Sequence, residues 1–235
     1  MAQTLPKFDR ALLSVLVRGA ERTFENAERL YREAEILAKA GAAARALFLH
    51  QISLEECSKI ENMGAWAISL LSGHDVDQKK VLDALARHSS KNKSNAYMLE
   101  GSQIEKDAKE RGDWKTALEE FKKLQVEFHE KSNSAKNASL YVDWKNGEFI
   151  APCERISDEM LTEIIGRNEM FLGYAYNSLQ MLKRLEKAPA EMQGMVVEFM
   201  ETAEKMRAEK PDDVMGSMNE LIRKLLDVER NKGKS

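Results

Sequence analysis

Two long stretches of helical periodicity, separated by little more than one glycine, constrain this chain more than any other feature. From Phe8 to about Ala40, apolar residues such as Leu12, Leu16, Ala20, Phe24, Ala27 and Leu30 recur at three- and four-residue steps. That spacing puts them on one face of a helix. Gly41 supplies the stop, and a second helix is predicted from about Ala43 to Leu71, ending at Ser72-Gly73. An all-α antiparallel helical bundle is the expected fold.

Composition agrees. Only 4 Pro and 12 Gly occur in 235 residues, while Ala, Glu, Lys, Leu and Met abound, a balance that favours helix. With 43% apolar and 32% charged residues the chain reads as globular rather than disordered. A net charge of −3 gives no global electrostatic case for nucleic acid, so any such contact is local. Cys57 and Cys153 lie far apart, and Cys57 falls in an apolar helix as a buried thiol. A reduced, cytoplasmic protein is the expectation. The N-terminus carries no apolar signal core, and no apolar run approaches the ~20 residues that cross a bilayer, so no membrane partner is expected.

Further along, Asp75 or Asp77 is placed to cap a short helix through Val81, Leu82 and Leu85. Helices are predicted near Ser94–Glu110 and from Trp114 to about Lys136, with Arg111-Gly112-Asp113 as the break. Ser139–Trp144 is rich in β-formers, Lys145-Asn146-Gly147 is a turn signal and Glu148–Pro152 follows, so a hairpin insertion is predicted near residues 139–152. Ser157 caps a helix that runs to about Lys187, with Asp158 and Glu159 suiting its dipole. Pro189 and Pro211 then mark two Met-rich helices, about Ala190–Glu209 and Asp212–Glu229. The expected division is a helical domain over residues 1–187 and a helical extension over 188–235.

Chemistry concentrates in three places. On the second helix, Leu49, Ile52, Glu56, Ile60 and Met63 follow one helical line, which puts Glu56 among residues expected to face the core. An unpaired carboxylate there is expensive, so it has a partner or a use. Glu55 and Lys59 stand four apart in the favourable order for an ion pair. The second place is His88-Ser-Ser-Lys91, a titratable imidazole near an ammonium. The third is Lys136-Asn137-Ala-Ser139-Leu140-Tyr141-Val142-Asp143, where a helix passes into the extended segment. None of His50, His74, His88 and His129 has Glu three residues before it, so the di-iron bundle pattern is missing. Zinc clusters, Gly-rich phosphate loops and Gly-x-Ser-x-Gly elbows are missing too, and neither metal nor cofactor is expected.

Taken in order, Leu54-Glu55-Glu56-x-x-Lys59, His88-x-x-Lys91 and Lys136-Asn137-x-Ser139-Leu140-Tyr141-Val142-Asp143 resemble the AbiV family of bacterial abortive-infection proteins, within the HEPN superfamily of small all-α domains. The similarity covers about residues 20–185. It implies an antiphage protein, commonly a homodimer, that acts on RNA (tRNA, mRNA or rRNA) as a metal-independent endoribonuclease or a translation-blocking toxin, with a possible phage-encoded activator. The usual superfamily signature is Arg, four to six residues, then His, often with Asn after the Arg. Here Lys136-Asn137…Tyr141 stands in that place, with Lys for Arg and Tyr for His. Arg45-Ala-Leu-Phe-Leu-His50 spells the signature but on a different helix.

The resemblance implies a catalytic set of Lys136, Asn137, Tyr141, Glu56 and His88, with Glu55, Lys59, Lys91 and Asp143 as substrate-binding residues. Metal-free RNA cleavage needs a base, a cation for the transition state and an acid. Lys136 supplies charge without the bidentate fork of Arg. A phenol, with an ordinary pKa of about 10, is a poor base at neutral pH. His88 or a glutamate must then act as base. The alternative is a non-catalytic helical protein in which the same residues recognise a phage protein, a ribosomal component or a nucleotide.

Overall fold

The computed structural model describes residues 5–87, 95 and 99–209. In chain order the elements are α1 (Arg10–Lys39), α2 (Ala43–Leu71), α3 (Gln78–Ala86), α4 (Gln103–Glu110), α5 (Trp114–Ala138), β1 (Asp143–Lys145), β2 (Glu148–Ile150), α6 (Pro152–Arg155), α7 (Asp158–Lys187) and α8 (Pro189–Glu209). The protein is all-α, with one small antiparallel hairpin among the described residues. No described helix is long and apolar enough to cross a membrane.

Local chemistry sets most boundaries. Asp9, Asp77, Ser102, Asp113 and Ser157 each accept a hydrogen bond from a backbone N–H in the first turn of the following helix, satisfying donors that the helix leaves unpaired. Asp77, not Asp75, caps α3. Gly41 and Gly73 follow α1 and α2 at φ 79° and 75°, the left-handed region that favours glycine. Within the predicted helix over Ser94–Glu110, Asn95 is helical, residues 99–102 are not, and α4 starts afresh at Gln103 behind the Ser102 cap. The predicted Asp212–Glu229 helix lies outside them.

α2 is the central element. It runs along α1 and α7 and also meets α5 and α8. Ala20, Ala27 and Ala34, seven apart on α1, are fully buried, and small side chains there let the helices approach closely. A Cβ added at Gly19 would sit 3.1 Å from Met63 Sδ, so this crossing is tight. Leu13, Leu54, Ile60, Leu71, Phe171, Leu182 and Leu185 are among the largest fully buried apolar side chains of the core. From Ala46 to Gly64 every residue of α2 is buried or half-buried. A helix enclosed on all sides has no single inward stripe.

α8 is docked on this bundle. Gln193 Nε2 donates to the carbonyl oxygens of Leu71 (2.8 Å) and Pro6 (2.6 Å), closing the end of α2 against the N-terminal segment. Of its methionines, Met192 packs on the core while Met195 is exposed.

The hairpin joins Asp143 to Ile150, Trp144 to Phe149 and Lys145 to Glu148. Its turn places Asn146 at φ 53° and Gly147 at φ 92°, the paired positive values that two-residue hairpins need. Trp144 and Phe149 meet edge to face at 4.9 Å yet stay 62% and 72% exposed.

Candidate functional site

The site is centred where the C-terminal end of α5 meets the middle of α2. Lys136 Nζ donates to Glu55 Oε1 at 3.0 Å, and the two side chains are 10% and 1% exposed. Local bonds hold each backbone in place. Ser139 Oγ donates to the Lys136 carbonyl at 2.7 Å, and Ser58 Oγ donates to that of Glu55 at 2.8 Å. Asn95, itself buried, donates from Nδ2 to the Leu54 carbonyl at 2.9 Å.

This arrangement changes the roles expected of the two glutamates. Glu55, not Glu56, is the carboxylate turned into the core. Glu56 lies toward α1, where it pairs with Lys59 and accepts from Asn26 Nδ2 at 3.2 Å. The expected Glu55–Lys59 pair is therefore replaced by two pairs. The reason is packing: with α2 enclosed all round, the three- and four-residue line through Glu56 does not select the most buried face.

The remaining expected site residues spread outward. Asn137 is exposed, and its carbonyl accepts from the Tyr141 N–H at 3.1 Å. Tyr141 is 59% exposed at the point where the chain leaves α5. Asp143 pairs with Arg155 of α6, which fastens the hairpin base. The structure thus brings Glu55 and Lys136 together, places Asn137 and Tyr141 beside them on the surface, and separates Glu56 and Lys59 on another face of α2. His88 and Lys91 lie outside the described residues.

Arg45 and His50 do not form a common site. Arg45 is exposed and reaches the Leu140 carbonyl at 3.4 Å, while His50 is fully buried between α1, α2 and α7. Asn168 Nδ2 donates to His50 Nδ1 at 3.1 Å, and Asn168 Oδ1 lies 3.1 Å from Ser53 Oγ. With the amide so oriented, the ring proton sits on Nε2, which faces Glu35 Oε1 at 3.6 Å, too far for a hydrogen bond. Tyr31 packs edge to face on the imidazole and donates to Glu169 Oε1 at 2.8 Å. Burial holds the His50 pKa below its usual value, although Glu35 and Glu169 pull it back up. Burial, reinforced by Glu169, raises that of Tyr31. No motif in the sequence marks this network, since its members come from three helices. Its one local trace is Tyr31 and Glu35, four apart on one helical face.

Among the described residues no three His, Cys, Asp or Glu side chains are grouped to hold a metal ion. A cleft of about 630 Å³ opens beside the Glu55–Lys136 pair, between α2, α5, α6 and α7.

A family model for AbiV of the HEPN proteins matches residues 15–173, more than half of the chain. Over 112 residues the chain is 58% identical to an uncharacterized protein of Sinorhizobium fredii, designated y4gJ. That match covers 48% of this chain and 58% of the relative's length. No protein of solved structure matches the chain. The matched region takes in α1 from residue 15, α2, the Glu55–Lys136 pair and the first half of α7. The chain belongs to the AbiV family of HEPN proteins.

Proposed function

We propose that this protein is an abortive-infection effector that acts on RNA at the C-terminal end of α5 and so arrests growth during phage infection. The observation that carries the reading is the buried Lys136–Glu55 pair, with Asn137 and Tyr141 exposed directly beyond it. A buried ion pair adds little stability that apolar side chains of similar volume would not supply. A charge kept under an exposed amide and phenol has its use in binding or chemistry. In the ribonuclease form of this reading, Lys136 stabilises charge on the phosphate, Asn137 and Tyr141 orient it, and His88 with Lys91 completes the acid–base chemistry. Asn95, four residues along the chain from Lys91, favours that form, because its Nδ2 donates to the carbonyl of Leu54, one residue from Glu55.

A second reading is capture without cleavage, of RNA or of a phage protein. It draws on one observation: Lys136 is already paired with Glu55, its side chain only 10% exposed, while Glu56 is turned to Asn26 and Lys59.

The test begins with growth arrest on overexpression. Wild-type protein is expected to arrest growth, and folded Lys136→Ala and Tyr141→Phe variants to relieve it. Unchanged arrest in both would remove the site assignment. Purified protein is then incubated with total RNA and tRNA in EDTA. Cleavage that survives chelation supports the metal-independent nuclease, and binding without cleavage supports capture.

A further inference from the structure

The cleft beside the Glu55–Lys136 pair has features that the family reading does not use. Its volume of about 630 Å³ is that of a small-molecule site, about 300–1,000 Å³. Its floor is apolar, with Leu47, Leu124, Met160 and Ile164 among the lining residues. Gln51, in the lining, is 2% exposed, and among the described residues its Nε2 has no hydrogen-bond partner. A buried amide left unpaired is destabilising, because it has lost water without gaining an acceptor. A bound acceptor would remove that cost.

The walls are equally specific. The Arg167 guanidinium lies over the Phe128 ring, 5.4 Å from its centroid, and is held there by Glu163. Arg155 and Lys131 add cationic groups to the lining. A ring–guanidinium pair is a platform on which a flat heteroaromatic group stacks. Glu127, Glu130 and Glu163 also border the cleft and equal its three cationic residues in number, and Arg155 and Arg167 are themselves paired with Asp143 and Glu163. A lining so balanced disfavours a polyanionic tract and leaves Lys131 as its cation without a carboxylate pair among the described residues.

We propose that this cleft binds one unpaired nucleotide, its base stacked at Phe128–Arg167, a base-edge acceptor on Gln51 Nε2 and its phosphate toward Lys131 and Arg155. The assignment rests on the RNA reading above and deepens it. Gln51 stands one helical turn before Glu55 on α2, and Ala135 and Ala138 of the lining flank Lys136. A base held in the cleft therefore brings its strand to the α5 end. The same chemistry is met by a free nucleoside monophosphate, and the experiment separates the two sources.

Gln51→Leu is the informative variant, because it removes the amide at nearly constant volume. If Gln51 is only a packing residue, Leu raises stability and leaves binding alone. The full chain and this variant are titrated with a labelled random-sequence RNA octamer and with each of the four nucleoside 5′-monophosphates, alongside thermal melts. The expected result is RNA binding weakened at least tenfold in Gln51→Leu, with Tm unchanged or raised, and weakened also in Lys131→Glu. Binding of a monophosphate but not of RNA, lost in Gln51→Leu, upholds the cleft and overturns the RNA reading. Equal RNA binding by wild type and Gln51→Leu overturns the cleft and leaves the RNA reading standing. Binding of neither probe by wild type overturns the cleft, and the growth-arrest assay then judges the RNA reading separately.

Discussion

Lys136 Nζ sits 3.0 Å from Glu55 Oε1 across a sequence separation of 81 residues, in a setting where both side chains are almost wholly out of water. This contact fastens α5 to the centre of the bundle. It also decides how the Lys136–Tyr141 segment meets solvent, because Lys136 faces inward while Asn137 and Tyr141 face out.

Removing one partner differs from removing both. Lys136→Ala leaves a carboxylate in the core and is expected to cost about 3 kcal/mol, whereas Lys136→Met with Glu55→Leu is expected to stay within about 1 kcal/mol of wild type. Urea denaturation measures both. A double variant as unstable as the single one would show that the pair holds the fold. A stable double variant that no longer arrests growth assigns the pair to function.

Tyr141→Phe and Trp144→Ala change side chains that are 59% and 62% exposed. Such substitutions typically shift stability by no more than about 0.5 kcal/mol. Matching melting curves with weakened growth arrest would place these aromatics on the working surface. A drop of several degrees in Tm would instead mean that they hold the α5 end in place.

The buried His50 and the half-buried Glu61 give stability opposite pH dependences. The His50 pKa is held below 6.5 by burial, against Glu35 and Glu169. The unfolded chain therefore takes up that proton first, and the contribution of His50 is present above 6.5 and lost as pH falls through the lowered folded value. Glu61 is raised above 4.5 by burial, against the hydrogen bond from Ser178. Its contribution is present below 4.5 and lost as pH rises through the raised value. Thermal melts of wild type and His50→Gln across about pH 5 to 7 separate the two. The wild-type advantage is expected to shrink toward acid, and a pH-independent gap would contradict the buried, neutral imidazole.

The two thiols should react very differently. Cys57 is 2% exposed, and burial, with Glu56 and Glu61 nearby, pushes its pKa up to about 12. Cys153 is exposed. Because the thiolate is the nucleophile, iodoacetamide at mildly alkaline pH is expected to label Cys153 in native protein and Cys57 only after denaturation. Mass spectrometry of the alkylated peptides reads the outcome, and rapid native labelling of Cys57 would mean that α2 opens readily.

Much of the fold was legible because it depends on neighbours in sequence. The capping role of Ser157, the stops at Gly41 and Gly73, the Asn146-Gly147 turn and the spans of α1, α2 and α7 follow from local hydrogen bonds and from backbone freedom, whereas the structure chose Asp77 over Asp75 as the cap of α3. The Lys136–Asp143 segment was legible as well, since its residue pattern resembles that of the family to which the chain belongs.

Periodicity could not say which glutamate of the adjacent pair turns inward. That reading assumes one buried stripe, and α2 has none from Ala46 to Gly64, because it is covered on every side. Nor do the partners of Glu55, His50 and Gln51 appear in any local pattern. They come from α5, α1 and α7, or in the case of Gln51 Nε2 are missing among the described residues. The sequence by itself determined the helices, their ends and the kinds of side chain available at the site. Only the tertiary structure decided which carboxylate meets Lys136, which imidazole is sealed from water and where a cleft opens. Burial and pairing are set by helices packing across long separations, and a one-residue rotation of a helix exchanges one side chain for its neighbour.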